Sequence, residues 1–138
     1  MTSTPTIAEW IRQASTDLAC QEGSISLGPL RKLERRLSDA AHRCVAKDEL
    51  FVVFFLIQFI QDVFSNLTGD VRYSDDVERV KQDTFLRFAQ HLEAVAAAMT
   101  EGDAERQLQS CGEIVESYLS SIRTINSLPI QEVIYNVK

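Results

Sequence analysis

Proline is nearly missing from this chain: Pro5, Pro29 and Pro129 are the only three, and none falls between positions 30 and 128. A stretch of that length with no residue that blocks i→i−4 bonding permits long helices. Glycine is scarce too. Gly23, Gly28, Gly69 and Gly102 fall between segments of periodic hydrophobicity, and Gly112 alone falls inside one. So little turn chemistry excludes collagen-like, linker-like and many-stranded β architectures.

Cysteine is limited to Cys20, Cys44 and Cys111, with no Cys-x-x-Cys spacing, which excludes a disulfide framework and a zinc ribbon. All three fall on or near apolar stripes and read as small core residues. Free thiols fit a reducing, cytoplasmic setting. Basic charge is also short, 14 Lys and Arg against 20 Asp and Glu, for a net charge of −6. That balance opposes affinity of the whole surface for nucleic acid or anionic lipid. The first residues lack a basic stretch followed by an apolar one, so no signal peptide is expected, and the acceptor pattern Asn66-Leu67-Thr68 has no use.

Long hydrophobic runs are missing as well. The longest covers residues 50–57, eight in a row, before Gln58, Gln61 and Asp62 interrupt it. A bilayer span needs roughly twenty, so no membrane anchor is expected.

What is present is ordinary globular composition, 45% hydrophobic and 25% charged, over 138 residues. The expectation is one all-α domain spanning 1–138: a bundle of about five helices with a buried, highly apolar central helix and a C-terminal antiparallel hairpin. Residues 1–5 read as a flexible lead and 127–138 as a C-terminal packing tail, helical or extended.

Thr6-Ile7-Ala8-Glu9 reads as a capping box opening a first helix, whose stripe is Ile7, Trp10, Ile11, Ala14 and Leu18. Pro29 suits the first turn of a second helix carrying Leu30, Leu33, Leu37, Ala40, Ala41 and Cys44. At 100° per residue, that stripe lies about 130° from the one formed by Val53, Leu56, Ile60, Val63 and Leu67. The phase jump predicts a break near residues 46–48 with Asp48 as cap. Ser74 caps a fourth helix with the stripe Val77, Val80, Phe85, Phe88, Leu92, Val95 and Met99. Gly102-Asp103 ends it and caps a fifth helix carrying Leu108, Cys111, Val115, Tyr118, Ile122 and Ile125. Inside that helix, Gly112 is expected to permit a close helix contact.

Chemistry is thinly represented. No nucleophile elbow, phosphate loop or repeated Glu-x-x-His motif occurs, so no catalytic, cofactor or metal site is assigned. His42 points away from the second helix's stripe and reads as solvated, while His91 borders the fourth helix's apolar face as a hydrogen-bonded boundary residue. Arg36-Leu37-Ser38-Asp39-Ala40-Ala41-His42 resembles the Arg-x5-His motif of helical ribonucleases of the HEPN class, where an Arg and a His meet across a dimer to cleave RNA. Here Leu37 replaces the usual polar residue after Arg, and the motif lies early in the chain. Leu30-Arg31-Lys32 and Phe85-Leu86-Arg87-Phe88 are similar to stretches in the helical small subunits of type III CRISPR effector complexes, which touch nucleic acid through basic residues.

Two surface features stand out. Between Pro29 and Lys47 six basic residues, Arg31, Lys32, Arg35, Arg36, Arg43 and Lys47, face only Glu34 and Asp39, while the rest of the chain holds eight basic and eighteen acidic residues. Such a helix binds a phosphate backbone or an acidic partner, or balances the acidic helices. The third helix, for its part, is apolar all round in its first two turns, which means full burial or partner contact. Phe51, Phe54 and Phe55 are its candidate dimer-interface residues. The expected function is a non-enzymatic protein-interaction module (adaptor, regulator, inhibitor or immunity-type factor) forming a homodimer. The alternative is a nucleic-acid-binding subunit using the basic helix, and behind it a HEPN-like ribonuclease.

Overall fold

The structure is a computed structural model that describes residues 6–21, 23, 25–43, 45–67 and 75–128. All regular elements among them are helical: α1 (Ile7–Ala19), α2 (Gly28–Arg43), α3 (Leu50–Asn66), α4 (Asp75–Glu101) and α5 (Ala104–Ser127), with one 3-10 turn at Lys47–Glu49.

Local signals place most of the ends. Thr6 Oγ1 accepts a hydrogen bond from the Glu9 backbone N–H at 3.1 Å and opens α1. Pro29 occupies the first turn of α2, where its missing N–H has no intrahelical partner. The chain does break between α2 and α3, but Asp48 is not the cap. It sits inside the 3-10 turn, and the N-cap position of α3 belongs to Glu49, whose side chain makes no capping bond. Between α4 and α5, Gly102 takes φ +69°, with its N–H on Met99 O at 3.1 Å and that of Asp103 on Ala98 O at 2.9 Å. These are the two bonds of a Schellman stop. Asp103 then caps α5 by accepting from Arg106 N–H at 3.1 Å. Ser74 lies outside the described residues.

Cross-helix bonds fix the directions. Arg12 pairs with Glu93 and Ser15 donates to Ala89 O, so α1 and α4 are antiparallel. Thr84 meets Ser121 and His91 meets Ser117, so α4 and α5 are antiparallel too. The start of α2 and the end of α3 share a recess with Gln82 and Phe85 near the start of α4. Hence α1, α3 and α5 run one way, α2 and α4 the other. In space the neighbours follow the order α1, α2, α3, α5, α4 and back to α1. At the centre, Phe59 of α3 meets Phe88 of α4 edge-on at 5.1 Å and Tyr118 of α5 at 5.6 Å.

Three expectations fail on α5 and α1. Leu108 is 60% exposed, because α5 is rotated towards α4: Ser110, Ile114 and Ser121 are buried in its place. Gly112 permits no close contact with another described helix of the chain, since a Cβ built there meets nothing within 4 Å. Cys111 is a core residue, but Cys20 is exposed just past the end of α1; the side chain of Cys44 lies outside the described residues.

Candidate interaction surfaces

Helix α3 buries Val52, Val53, Leu56, Phe59, Ile60 and Val63 along one face. Its first two turns outrun that cover, leaving Leu50 49%, Phe51 54% and Phe54 67% exposed. Phe51 stacks on half-buried Phe55 at 6.1 Å between centroids, and Phe55 on Phe59 at 6.0 Å, so the rings form a ladder from solvent to core. Of the two outcomes open for an all-round apolar segment, the chain's own described helices do not supply full burial.

Beside the ladder, α3 and α5 enclose a groove of about 290 Å³ lined by Phe55, Gln58, Phe59, Asp62, Val115, Tyr118 and Leu119. Tyr118 closes its floor, donating to Asp62 O at 3.2 Å and accepting from Asn66 Nδ2 at 3.0 Å. Burial first, and then the neighbouring Asp62, push the phenol up to about 12. Leu119 is 42% exposed on the α5 rim. Leu108 belongs to the same rim: ten residues before Tyr118 on α5, it stands about 15 Å along the parallel pair, level with Phe51, eleven residues before Asp62 on α3. Sequence reasoning named Phe51, Phe54 and Phe55 as interface candidates, of which Phe51 and Phe54 are exposed and Phe55 half-buried, and it assigned Leu108 to the core. It missed Leu119, whose only signal is its i+4 spacing from Val115.

The basic residues of α2 are outward: Lys32, Arg35 and Arg43 are exposed and Arg36 is half-buried, with Lys47 exposed in the following turn. Arg31 alone is engaged, pairing with Glu34 at 2.9 Å while its guanidinium lies 3.8 Å over the Phe64 ring. Among the described residues no carboxylate pairs with the other five, so α2 does not neutralise α4 or α5 through ion pairs. Arg36 and His42 stand about 120° apart around the helix, and exposed His42 places Nδ1 2.8 Å from Ser38 O. One chain therefore does not bring the Arg-x5-His pair together.

His91 is the hydrogen-bonded boundary residue that the sequence indicated, but its partners escaped sequence reasoning. His91, half-buried, lies with Nε2 3.0 Å from Ser117 Oγ and Nδ1 3.8 Å from Glu113 Oε2. The order imitates a hydroxyl–imidazole–carboxylate relay, but 3.8 Å is beyond hydrogen-bond distance. Ser117 also sits in mid-helix, where the backbone N–H groups that would stabilise an oxyanion are committed to the helix. Its signal was the four-residue spacing of Glu113 and Ser117. Among the described residues no group of three or more His, Cys, Asp or Glu is arranged to hold a metal ion, and no helix is long and apolar enough to cross a membrane. No family model, curated protein or solved structure matches the chain.

Proposed function

We propose that the protein is a non-enzymatic helical interaction module that binds a protein partner through the apolar face shared by α3 and α5. The observation that carries this reading is the exposure of Phe51 and Phe54, 54% and 67%, beside a groove already floored by aromatic rings. Large aromatics left uncovered next to a preformed recess are the usual anchors of an interface. The test is affinity capture with wild-type protein and the double variant Phe51→Asp, Phe54→Asp. Both positions are solvent-facing, so the variant keeps its helical circular dichroism. A partner held by the wild type and lost by the variant supports the reading; equal capture by both, or none by either, defeats it.

A second reading is favoured by the cations of α2 and the turn after it that pair with no described carboxylate: a nucleic-acid contact made by Lys32, Arg35, Arg36, Arg43 and Lys47. Such contacts are dominated by phosphate neutralisation and fall steeply with salt. Wild-type retention on single-stranded RNA at low salt, abolished by Lys32→Glu, Arg35→Glu and Arg36→Glu together, is the expected result. Absence of retention in the wild type removes it.

A further inference from the structure

We propose that the occupant of the α3–α5 face is a second copy of this chain, docked about a two-fold axis parallel to the helices so that α3 of each copy lies on α5 of the other. The inference rests on the reading of that face as a protein-binding surface, and three observations identify the occupant.

The first is size. Leu50, Phe51, Phe54, Leu108 and Leu119 are each at least 42% exposed, and of the six exposed large hydrophobics among the described residues only Leu86, at 41%, lies off α3 and α5. Their exposed portions amount to on the order of 500 Å², near the top of the ~300–600 Å² that a monomer leaves uncovered. Doubled by a two-fold axis, they reach about 1,000 Å² before any polar rim is counted, the threshold of a specific interface.

The second observation is Gly112. It lies within α5, its φ is not positive, and a Cβ there meets no atom within 4 Å. Nothing among the described residues requires glycine there, yet a mid-helix glycine costs about 1 kcal/mol relative to alanine. With α3 and α5 parallel, Phe55 is seven residues before Asp62 and Gly112 six before Tyr118, so the two are level. A two-fold axis along the helices therefore sets the Phe55 edge of each copy over the side-chain-free turn of its partner. The same operation sets Phe51 against Leu108.

The third is charge. Residues 50–61 carry no charged side chain at all, in a chain of net charge −6. A polyanion gains nothing from this face; for a bilayer surface the cations Arg43 and Lys47 that precede it are offset by Asp48 and Glu49, and a glycine adds nothing. Residues 50–61 of one copy bring no charge up to the α5 of the other, whose Glu105, Glu113 and Glu116 are exposed, so that contact holds no like-charge pair.

Light scattering and sedimentation equilibrium across micromolar concentrations test this. The wild type is expected at twice the 15.6 kDa of one chain. Leu119→Glu and Gly112→Gln, both at exposed positions, are expected at the single-chain mass with unchanged helical circular dichroism and a melting temperature that no longer depends on protein concentration, whereas the α2 control Arg35→Glu stays dimeric. A wild type at 15.6 kDa overturns the second copy while leaving a different protein on the same face to the capture experiment above. Dimers that survive both α5 variants overturn the geometry. Monomeric wild type that co-sediments with anionic phosphatidylserine vesicles, and stops doing so on Phe51→Asp, Phe54→Asp, overturns the second copy and replaces it with a lipid surface.

Discussion

Gly102 and Gly112 stand ten residues apart and do opposite things. Gly102 holds φ +69° and releases the two amides that close α4, whereas Gly112 sits in ordinary helical backbone with open space where a side chain would be. Alanine at 102 must adopt a left-handed conformation that costs L-residues roughly 1–2 kcal/mol. At 112, alanine removes a helix penalty of about 1 kcal/mol. Urea denaturation of the dissociated chain is expected to show Gly102→Ala destabilised and Gly112→Ala stabilised by these amounts; the same sign for both would contradict the assigned backbone. Two buried acids set a different limit. Burial raises Cys111 from 9.0 to about 11, and burial with Asp62 raises Tyr118 from 10.0 to about 12. In each case the folded state holds the proton more tightly than the unfolded chain does, so the stabilisation is complete below the unfolded value and is lost as pH climbs through the folded one. Stability is therefore expected to decline from about pH 9 to pH 12. Tyrosinate absorbance should show a late step, and Tyr118→Phe should remove it.

Helix ends and helix count were legible in the chain because they depend on local chemistry: Thr6 and Asp103 cap, Gly102 stops, and Pro29 starts a helix wherever the rest of the fold lies. Rotation of a helix about its axis was less legible, and α5 illustrates why. Hydrophobic spacing counts Leu108 as core and gives no weight to Ser110 or Ser121, but the α4 surface that α5 packs on includes the small buried residue Thr84. Small residues on both sides let the helices approach, and Thr84 and Ser121 satisfy each other there at 2.5 Å. That close contact pulls Ile114 inward and turns Leu108 out. Much the same holds for the candidate surface. Its α3 half showed as an all-round apolar segment, while its α5 half, Leu108 and Leu119, became visible only once the rotation was known. Truncation separates the two sites: Ile114→Ala, at a fully buried position, is expected to cost about 2–5 kcal/mol. Leu108→Ala, measured on the dissociated chain, should stay within about 0.5 kcal/mol. Comparable losses at both would mean that α5 is not rotated as described.

Across the whole molecule, charge is segregated. Six of the fourteen basic residues lie between Pro29 and Lys47, and five of those six have no carboxylate partner among the described residues. Arg31 and Arg35, and Lys32 and Arg36, are like charges four apart on one helix, an arrangement that destabilises by roughly 0.2–0.5 kcal/mol a pair. Ion pairs elsewhere are exposed, such as Arg12 with Glu93 at 42% and 50% side-chain exposure, and so contribute little. Added salt therefore screens more repulsion than attraction, in α2 and in the net charge of −6 alike. The unfolding midpoint is expected to rise with potassium chloride, and Lys32→Gln with Arg36→Gln should reproduce part of that rise at low salt and none at high salt. A midpoint that falls with salt would mean the cations are paired after all. The same arithmetic separates the two functional readings. If α2 binds a polyanion, the ligand relieves the repulsion and adds its own binding free energy to the folded state. Heparin at low salt should then raise the melting temperature of the wild type and leave Lys32→Glu, Arg35→Glu, Arg36→Glu unmoved. If the α3–α5 face is the working surface, heparin does no more than salt does, and the melting temperature rises instead with protein concentration, because a dimer is stabilised by mass action and a monomer is not.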